Sequence, residues 1–597
     1  MAAQSLRAGA DPGRGGDGYK WLALSNTTVA VLLATIDGSI MLIAMPDIFR
    51  GIHLNPLVPG NSFYLLWMIL GYLVVSSVLV VSLGRLGDMF GRVRMYNLGF
   101  VIYTAASLLL TIDWMTGVAG ADWLIGMRIV QGIGGAFLMA NSVAILTDAF
   151  PANQRGLALG INNIAGISGN FIGLVLGGIL APINWRLVFL VSVPFGLFGT
   201  VWAYLKLRDN GVRRREPVDW WGNATFALGL TLVMVGITGG IQPYASHTMG
   251  WTNPRVLAEL ALGAACLAGF ALWQVRNAHP MFRLALFRIR AYTFGVFSSF
   301  LSAVARGGLM FMLIIWLQGI WLPLHGFRFT VTPLWAGIYM LPLSAGFVLA
   351  GPLSGYLSDR FDARLFATGG MLVSALAFVL LDLLPVDFAF PAFGGTLLLI
   401  GLAMGAFASP NRASIMNSLP PEHRGAGGGM NTTFQNSAQV LSLGIFFSLM
   451  IAGLAGTLPV TMSAGLAAHG VPAAVAGHIA HLPPVSVLFA AFLGYNPVEQ
   501  LLRAQGAQVL AHLSAANAAA LTGRSFFPSL IAAPFDAGLH EALVFAIVAC
   551  LLAAAASWSR GGRYVHGETR QAAPRPRRTR GEASPPREWS PEESGSS

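Results

Sequence analysis

Gly84-Arg85-Leu86-Gly87-Asp88-Met89-Phe90-Gly91-Arg92-Val93-Arg94 is echoed far along the same chain by Gly355-Tyr356-Leu357-Ser358-Asp359-Arg360-Phe361-Asp362-Ala363-Arg364. In each stretch a glycine opens the motif, an aspartate follows one helical turn later, and arginines close it. Each also follows a long apolar run, so each is a polar turn between two membrane helices. The second copy is the looser one, with Asp362 at the position of Gly91. A turn that recurs in the same setting predicts two related halves joined by a variable middle, with a substrate site between them.

Composition restricts the chain to the same class. Of its 597 residues 55% are hydrophobic and 10% charged, whereas roughly a quarter are charged in soluble domains. The chain's solvent is therefore largely lipid. Cys266 and Cys550 each lie in an apolar run, which excludes a disulfide framework or a cysteine metal site and leaves both as packing residues. A formal net charge of +11 raises nucleic acid as a partner, but the arginines are spread between apolar segments rather than gathered on a soluble domain, so no nucleic-acid partner is expected. Residues 1–20 are polar, and the apolar run after them is too long for a signal-peptide core.

A bilayer core of roughly 30 Å requires about 20 mostly apolar residues per helix, with every backbone polar group satisfied inside the segment. Such runs number about fourteen, at 21–46, 62–83, 95–112, 121–146, 157–181, 187–206, 219–240, 255–274, 292–320, 334–356, 365–385, 392–415, 426–453 and 540–558. An even number puts both termini on one side, and the positive-inside rule makes that side cytoplasmic. On this reading about 19 basic residues, among them Arg85, Arg92, Arg94, Lys206 and Arg213 to Arg215, fall in the amino-terminal arm and cytoplasmic loops, against about six outside. The stretch 454–539 reads as a long extracytoplasmic loop whose apolar piece Val485 to Leu493 is too short to span. Residues 559–597, rich in Pro, Arg, Glu and Ser, read as a disordered cytoplasmic tail with an attraction to anionic lipid. The expected organisation is an arm at 1–20, a six-helix bundle at 21–206, a linker with two inserted helices at 207–291, and a second six-helix bundle at 292–558.

Three further motifs carry a resemblance. Leu33-Ala-Thr-Ile-Asp37-Gly-Ser-Ile-Met-Leu-Ile-Ala-Met-Pro46 stands in the first helix, and Arg128-Ile-Val-Gln131-Gly132-Ile-Gly134-Gly135-Ala136 in the fourth. With the loop at Gly84 to Arg94 they resemble, in the right order, the signatures of the major facilitator superfamily, and within it the fourteen-helix drug:proton antiporters of the EmrB and QacA type. The resemblance covers nearly all of residues 20–560. It implies an all-α membrane protein of two pseudo-symmetric bundles, with the helices near 219–274 as the family's inserted central pair. It also implies proton-coupled export of a small amphipathic organic substrate across the plasma membrane by a rocker-switch, without a cofactor and with a monomer as the working unit. The fifth helix matches less closely: Gly169, Gly173, Gly177 and Gly178 are present, but Leu174 stands where the antiporter signature has proline.

The residues themselves point to chemistry. Asp37 lies within an apolar helix, where an unpaired charge costs a few kcal/mol or more, which makes it the expected proton site. It sits roughly 14 Å before the outer end of the first helix, and Arg128 roughly 10 Å after the outer end of the fourth, by the rise per residue. The two depths agree, so Asp37 and Arg128 are expected to interact electrostatically and to tie proton uptake to rocking of the halves; the resemblance assigns the fourth-helix arginine a proton-coupling role. A static pair that only orients helices is the plainer alternative. Arg306, mid-helix in the ninth span, needs an anion or polar partner for the same reason and is a substrate-cavity candidate. Gln318 and Asn411 are further candidates, although single amides also hydrogen-bond between membrane helices. Asn431, Gln435 and Gln439 form a polar stripe that suggests a wet cavity or a contact between the halves. Gly169, Gly173 and Gly177 have the small-xxx-small spacing for close helix packing. The resemblance makes Asp88 a latch between the halves, with the amino end of the thirteenth helix near Gly425 to Gly429 as its attraction, and extends the switch to Gly84, Gly91, Arg92, Gly355, Asp359 and Arg360.

The chain has no phosphate-binding Gly-x-x-x-x-Gly-Lys-Ser/Thr loop, and its lysines are Lys20 and Lys206, so an ion gradient is the expected energy source. The same scaffold working as an importer or on another solute class is the main rival; a non-transporting membrane sensor is another. Enzymatic activity is not expected, since His540-Glu541 begins a zinc motif that Val544 fails to complete, and His478 and His481 fall in the outer loop.

Overall fold

The computed structural model describes residues 17–58, 60–151, 154–209, 218–245, 247–420, 423–504 and 513–561. Residues 1–16 of the arm, the Arg213 to Arg215 cluster and the tail beyond 561 lie outside the described residues. Among those described, fourteen helices are long and apolar enough to cross a membrane: α1 Gly18–Gly51, α2 Asn61–Phe90, α3 Arg92–Thr111, α4 Gly117–Ala149, α5 Ala158–Ile183, α6 Leu187–Lys206, α7 Trp220–Gly240, α8 Pro254–Arg276, α9 Arg290–Leu324, α10 Thr332–Ser358, α11 Ala363–Asp382, α12 Phe390–Asn417, α13 Ala426–Ala468 and α14 Phe526–Ser559. The chain is a multi-pass membrane protein. Many helices run several residues past the apolar runs expected of them, because a helix continues into the interfacial zone where its backbone bonds remain worth making.

The two copies of the repeated turn differ in backbone geometry and in chemistry. Between α2 and α3 the chain turns at Gly91 with φ of 109°, a conformation that favours glycine because it has no Cβ. Between α10 and α11 Asp362 takes an extended conformation, and its side chain accepts a hydrogen bond from Arg364 N at 3.0 Å. The aspartate is thus the amino-terminal cap of α11, which is why the second copy tolerates losing the glycine.

Helices α1–α6 pack among themselves, as do α9–α14. Glycines set the closest approaches. A Cβ on Gly169, Gly173 or Gly177 of α5 would run into Thr35, Ser39 and Ile43 of α1 respectively, and one on Gly346 of α10 or Gly405 of α12 would strike the backbone of the other helix. Between the halves run two seams, α2 against α13 and α5 against α10. At one end, that of Gly51 and Asn61 and here termed distal, buried side chains of both halves form one core, with Ile43, Leu70 and Leu174 from the first half and Phe311, Trp316, Ile320 and Met340 from the second.

The inserted helices α7 and α8 pair with each other, and α7 leans on both α2 and α13. Asp219, just before α7, holds this unit together: it accepts hydrogen bonds from Gly222 N (2.9 Å), Trp273 Nε1 (2.8 Å), Gln274 Nε2 (2.7 Å) and Met281 N (3.2 Å). Gln274 in turn accepts from Phe282 N at 2.8 Å.

The region 454–539 departs from the expected long loop. α13 continues to Ala468 and α14 begins at Phe526, leaving a much shorter connection. Val485 to Leu493 is buried throughout, largely as the helix Pro484–Phe492, with Phe489 and Phe492 against Phe447 and Phe311. Length excluded a span but not burial: a short apolar helix is covered by docking into the distal core, where it meets the backbone beside Gly319.

Burial raises the proton affinity of the Asp219 carboxyl, but its four donors outweigh burial and hold it below the usual carboxylate range. Its stabilisation is therefore present above the unfolded value near 3.8 and lost as pH falls through the folded one. Asp219→Ala should strip the donors of their acceptor and cost about 1–3 kcal/mol, read as a lower thermal transition of the purified protein at pH 7, with the gap to the wild type closing below pH 4.

Candidate functional site

Asp37 and Arg128 meet inside the first half. Arg128 Nη1 donates to Asp37 Oδ2, and both side chains are about 1% exposed. Gln131, one turn after Arg128 on the same face of α4, completes the arrangement: its Nε2 donates to Asp37 Oδ1 (3.0 Å) and Ser107 Oγ (2.9 Å), while its Oε1 accepts from Arg128 Nη1 (2.6 Å). Arg128 Nε donates to Met68 O at 3.2 Å, and its guanidinium lies 4.6 Å from the centre of the Tyr72 ring. The carboxylate thus faces neither lipid nor open water. It is neutralised by a cation with which it shares a glutamine.

The second half carries its charge differently. Arg306 on α9 and Arg412 on α12 both keep exposed side chains within their spans. Residues 311–323 of α9 are buried, which closes its distal length, and Arg306 stands just before that buried stretch. α9 breaks immediately after it, at Gly307 and Gly308; Ser442 of α13 bridges the break by accepting from Gly308 N (2.9 Å) and donating to Val304 O. Beyond the break, Trp316–Trp321 winds as a π-helix, a departure from α geometry that often marks functional segments.

The other cavity candidates sit less openly. Asn411 is buried and donates to Gly295 O (3.1 Å) and Ser299 Oγ (2.7 Å), joining α12 to α9. Gln318 is also buried and donates to Ile43 O at 3.4 Å, across the two halves. Both serve helix contacts in this conformation, because their amides find partners more cheaply between helices than in water. Of the polar stripe on α13, Asn431 is buried, Gln435 half-buried and Gln439 exposed, with the Gln439 backbone against Gly307.

Asp88 does not reach the amino end of α13 here. It accepts from Arg92 Nε at 2.8 Å, and Arg92 also pairs with Asp148 at 2.6 Å, so these charges are satisfied within the first half. Gly84 abuts Ala140 of α4, Gly355 abuts Ser409 of α12, and Arg360 stacks 4.7 Å from the Tyr356 ring centre. Gly178 differs from its neighbours on α5: a Cβ there would meet the backbone of Leu334 on α10, so it belongs to the seam between the halves. His540, the start of the incomplete zinc motif, lies 2.9 Å from Asp382.

Sequence reading missed the roles of Gln131, Arg412 and the break at Gly307 and Gly308. Gln131 stands within the fourth-helix motif, and Arg412 follows Asn411 directly in the sequence. The signal for Arg412 was a second arginine within an apolar span with no acidic residue near it.

A membrane-spanning helical chain whose first six and last six spans pack as two bundles has the architecture of a membrane transporter. The Major Facilitator Superfamily model matches residues 27–443, and the chain belongs to that superfamily. It is 29% identical to the riboflavin transporter RibZ of Clostridioides difficile (strain 630) over 441 residues, covering 73% of this chain and 89% of that protein. It is 28% identical to the methyl viologen resistance protein SmvA of Salmonella typhimurium (strain 14028s / SGSC 2262), covering 75% and 86%. It is 25% identical to the tetracenomycin C resistance and export protein of Streptomyces glaucescens, covering 75% and 79%. In fold it is similar to a bacterial homologue of the human lysosomal transporter Spinster, inward-facing and occupied, with a TM-score of 0.55 at 15% identity over 92% of this chain and 97% of that one.

Breaking a buried ion pair by removing one member leaves the other uncompensated at a cost of about 3–5 kcal/mol. Arg128→Gln should therefore lower the thermal transition of the detergent-purified protein by several degrees. Adding Asp37→Asn should recover much of that loss; additive effects of the two substitutions would show that they do not act as a pair.

Proposed function

We propose that this protein is a proton-coupled exporter of small amphipathic organic molecules, exchanging substrate for protons across the plasma membrane with both termini in the cytoplasm. The observation that carries this reading is the sealed Asp37–Arg128–Gln131 arrangement. A carboxylate held by a guanidinium in the core of one bundle changes charge when a proton binds, and the pair that braces α1 against α4 then loses its attraction. Two bundles, 21–206 and 292–558, rock about their seams, with 207–291 set along the one between α2 and α13. The open Asp88 end is the cytoplasmic one, from which Arg306 and the cavity receive substrate. Proton entry from outside relaxes the Asp37 pair, the distal core parts, and substrate leaves. Asp88, Arg92 and Arg360, with Gly84, Gly91, Gly355 and Asp359, form the turns that meet when the cytoplasmic end closes. Relatives named for drug resistance and export support the direction; the relative named as a riboflavin transporter favours another solute class on the same scaffold.

Everted membrane vesicles test the reading. With an imposed proton gradient, substrate addition should drive proton efflux from vesicles holding the wild type. Asp37→Asn should reduce that flux at least tenfold while substrate still binds, as expected when a transition of this kind loses its driving charge. Undiminished coupling in Asp37→Asn would eliminate Asp37 as the proton site, and substrate flux down its own gradient without protons would favour a different transport mode.

A further inference from the structure

Resting on the export reading, we propose that the substrate is an organic anion, bound along a path between Arg412 and Arg306. The two arginines lie on inward faces. Arg306 is two helical turns beyond Ser299 and three beyond Gly295 on α9, the residues that Asn411 of α12 contacts, so it shares the α9 face turned toward α12. On α12, Asn411 and Ile415 contact α9 while Gly405 and Ser409 contact α10. Arg412, between these two directions, projects into the gap between α9 and α10. Met404 and Ala408, two and one turns before it, continue its face as an apolar strip.

Among the described residues no side chain of the second half pairs with these charges, and its carboxylates within the spans, Asp382, Asp536 and Glu541, lie on α11 and α14. α9, α10, α12 and α13 contain no Asp or Glu anywhere in their spans, and neither guanidinium has a hydrogen-bond or ion-pair partner among the described residues. A guanidinium does not deprotonate under physiological conditions, so two uncompensated positive charges remain within the membrane region, where such charge is costly. In the first half the reverse holds: the carboxylate at that depth, Asp37, is bound to Arg128 and closed to water, which leaves the cavity without a carboxylate to receive a cation. An anion lowers the energy of both arginines; a cation raises it.

The spacing describes the ligand. By helix rise Arg306 lies about 15 Å deeper than Arg412, too far for one carboxylate to touch both and suited either to transfer from one to the other or to an elongated body with an acidic group toward each end. Arg412 stands five residues from the Asp88 end of α12 and meets the anion first. Arg306 receives it against the break at Gly307 and Gly308, beside the exposed Gln439. The break lies between the sealed distal half of α9 and the open half, so an anion drawn to Arg306 loads the joint that must move.

Two xanthene dyes of opposite charge test the proposal on the full-length protein in nanodiscs: carboxyfluorescein as the anion and rhodamine 6G as the cation, each titrated by fluorescence anisotropy without a gradient. Carboxyfluorescein should bind at least tenfold more tightly. Arg306→Gln and Arg412→Gln should each weaken it by about tenfold or more, the scale of a lost hydrogen bond to a charged group, and leave rhodamine 6G unchanged or improved. Arg306→Lys and Arg412→Lys, which keep the charge, should recover much of the affinity and guard against misfolding, checked by an unaltered elution profile. Equal binding of the two dyes, no carboxyfluorescein binding by the wild type, or unchanged affinity in the glutamine variants overturns the proposal. Failure of the export reading looks different: anion binding stays charge-selective and Arg-dependent, but vesicles show no proton exchange.

Discussion

A guanidinium cannot shed its charge inside a bilayer, so each arginine in a span must be given an anion, and where that anion comes from organises this molecule. Arg128 finds it in Asp37, with Gln131 and Ser107 fixing the pair and Tyr72 beneath the guanidinium. Arg306 and Arg412 find none among the described residues of their own half. The two bundles thus share an ancestral plan but differ in electrostatics. The first pairs its buried arginine with a carboxylate, and the second leaves Arg306 and Arg412 without one among the described residues. On the proposed reading this divides coupling from recognition between the halves.

Close packing gives that division its mechanics. Gly169, Gly173 and Gly177 let α1 and α5 approach until side chains of one lie against backbone of the other, so movement of α1, which carries Asp37, moves α5. Gly178 on the same helix meets Leu334 of α10 and passes the contact across a seam. Interfaces this tight have few intermediate arrangements, which favours two discrete states over a continuum. The inserted α7 and α8 are braced by Asp219 as one rigid unit along the α2 and α13 seam, with Ser82 bonded to Asn223 and Trp67 Nε1 3.3 Å from Thr238 Oγ1. They move with that seam and leave the α5 and α10 side free.

Much of the fold was legible because lipid imposes a length and an apolar character on every span, and these survive in any single sequence. The fourteen spans, the repeated turn and the matching depth of Asp37 and Arg128 follow from counting residues. Helix ends were less legible, since interfacial turns of α13 and α14 carry no lipid constraint. Val485 to Leu493 was misplaced because the same nine residues suit a membrane surface or a protein core, and the choice depends on Gly319, Phe311 and Phe447, distant in sequence.

By itself the sequence determined that the chain crosses a membrane as two related halves and that a carboxylate and an arginine share a depth in the first, because hydrophobic length and helix rise are local properties. Only the tertiary structure decided which polar groups are sealed and which are wet. It put Gln318 and Asn411 into helix contacts, kept Asp88 on Arg92, and left Arg306 and Arg412 exposed and unpaired among the described residues. Exposure inside a protein is set by how helices from both ends of the chain close around a space, and no single span contains that information.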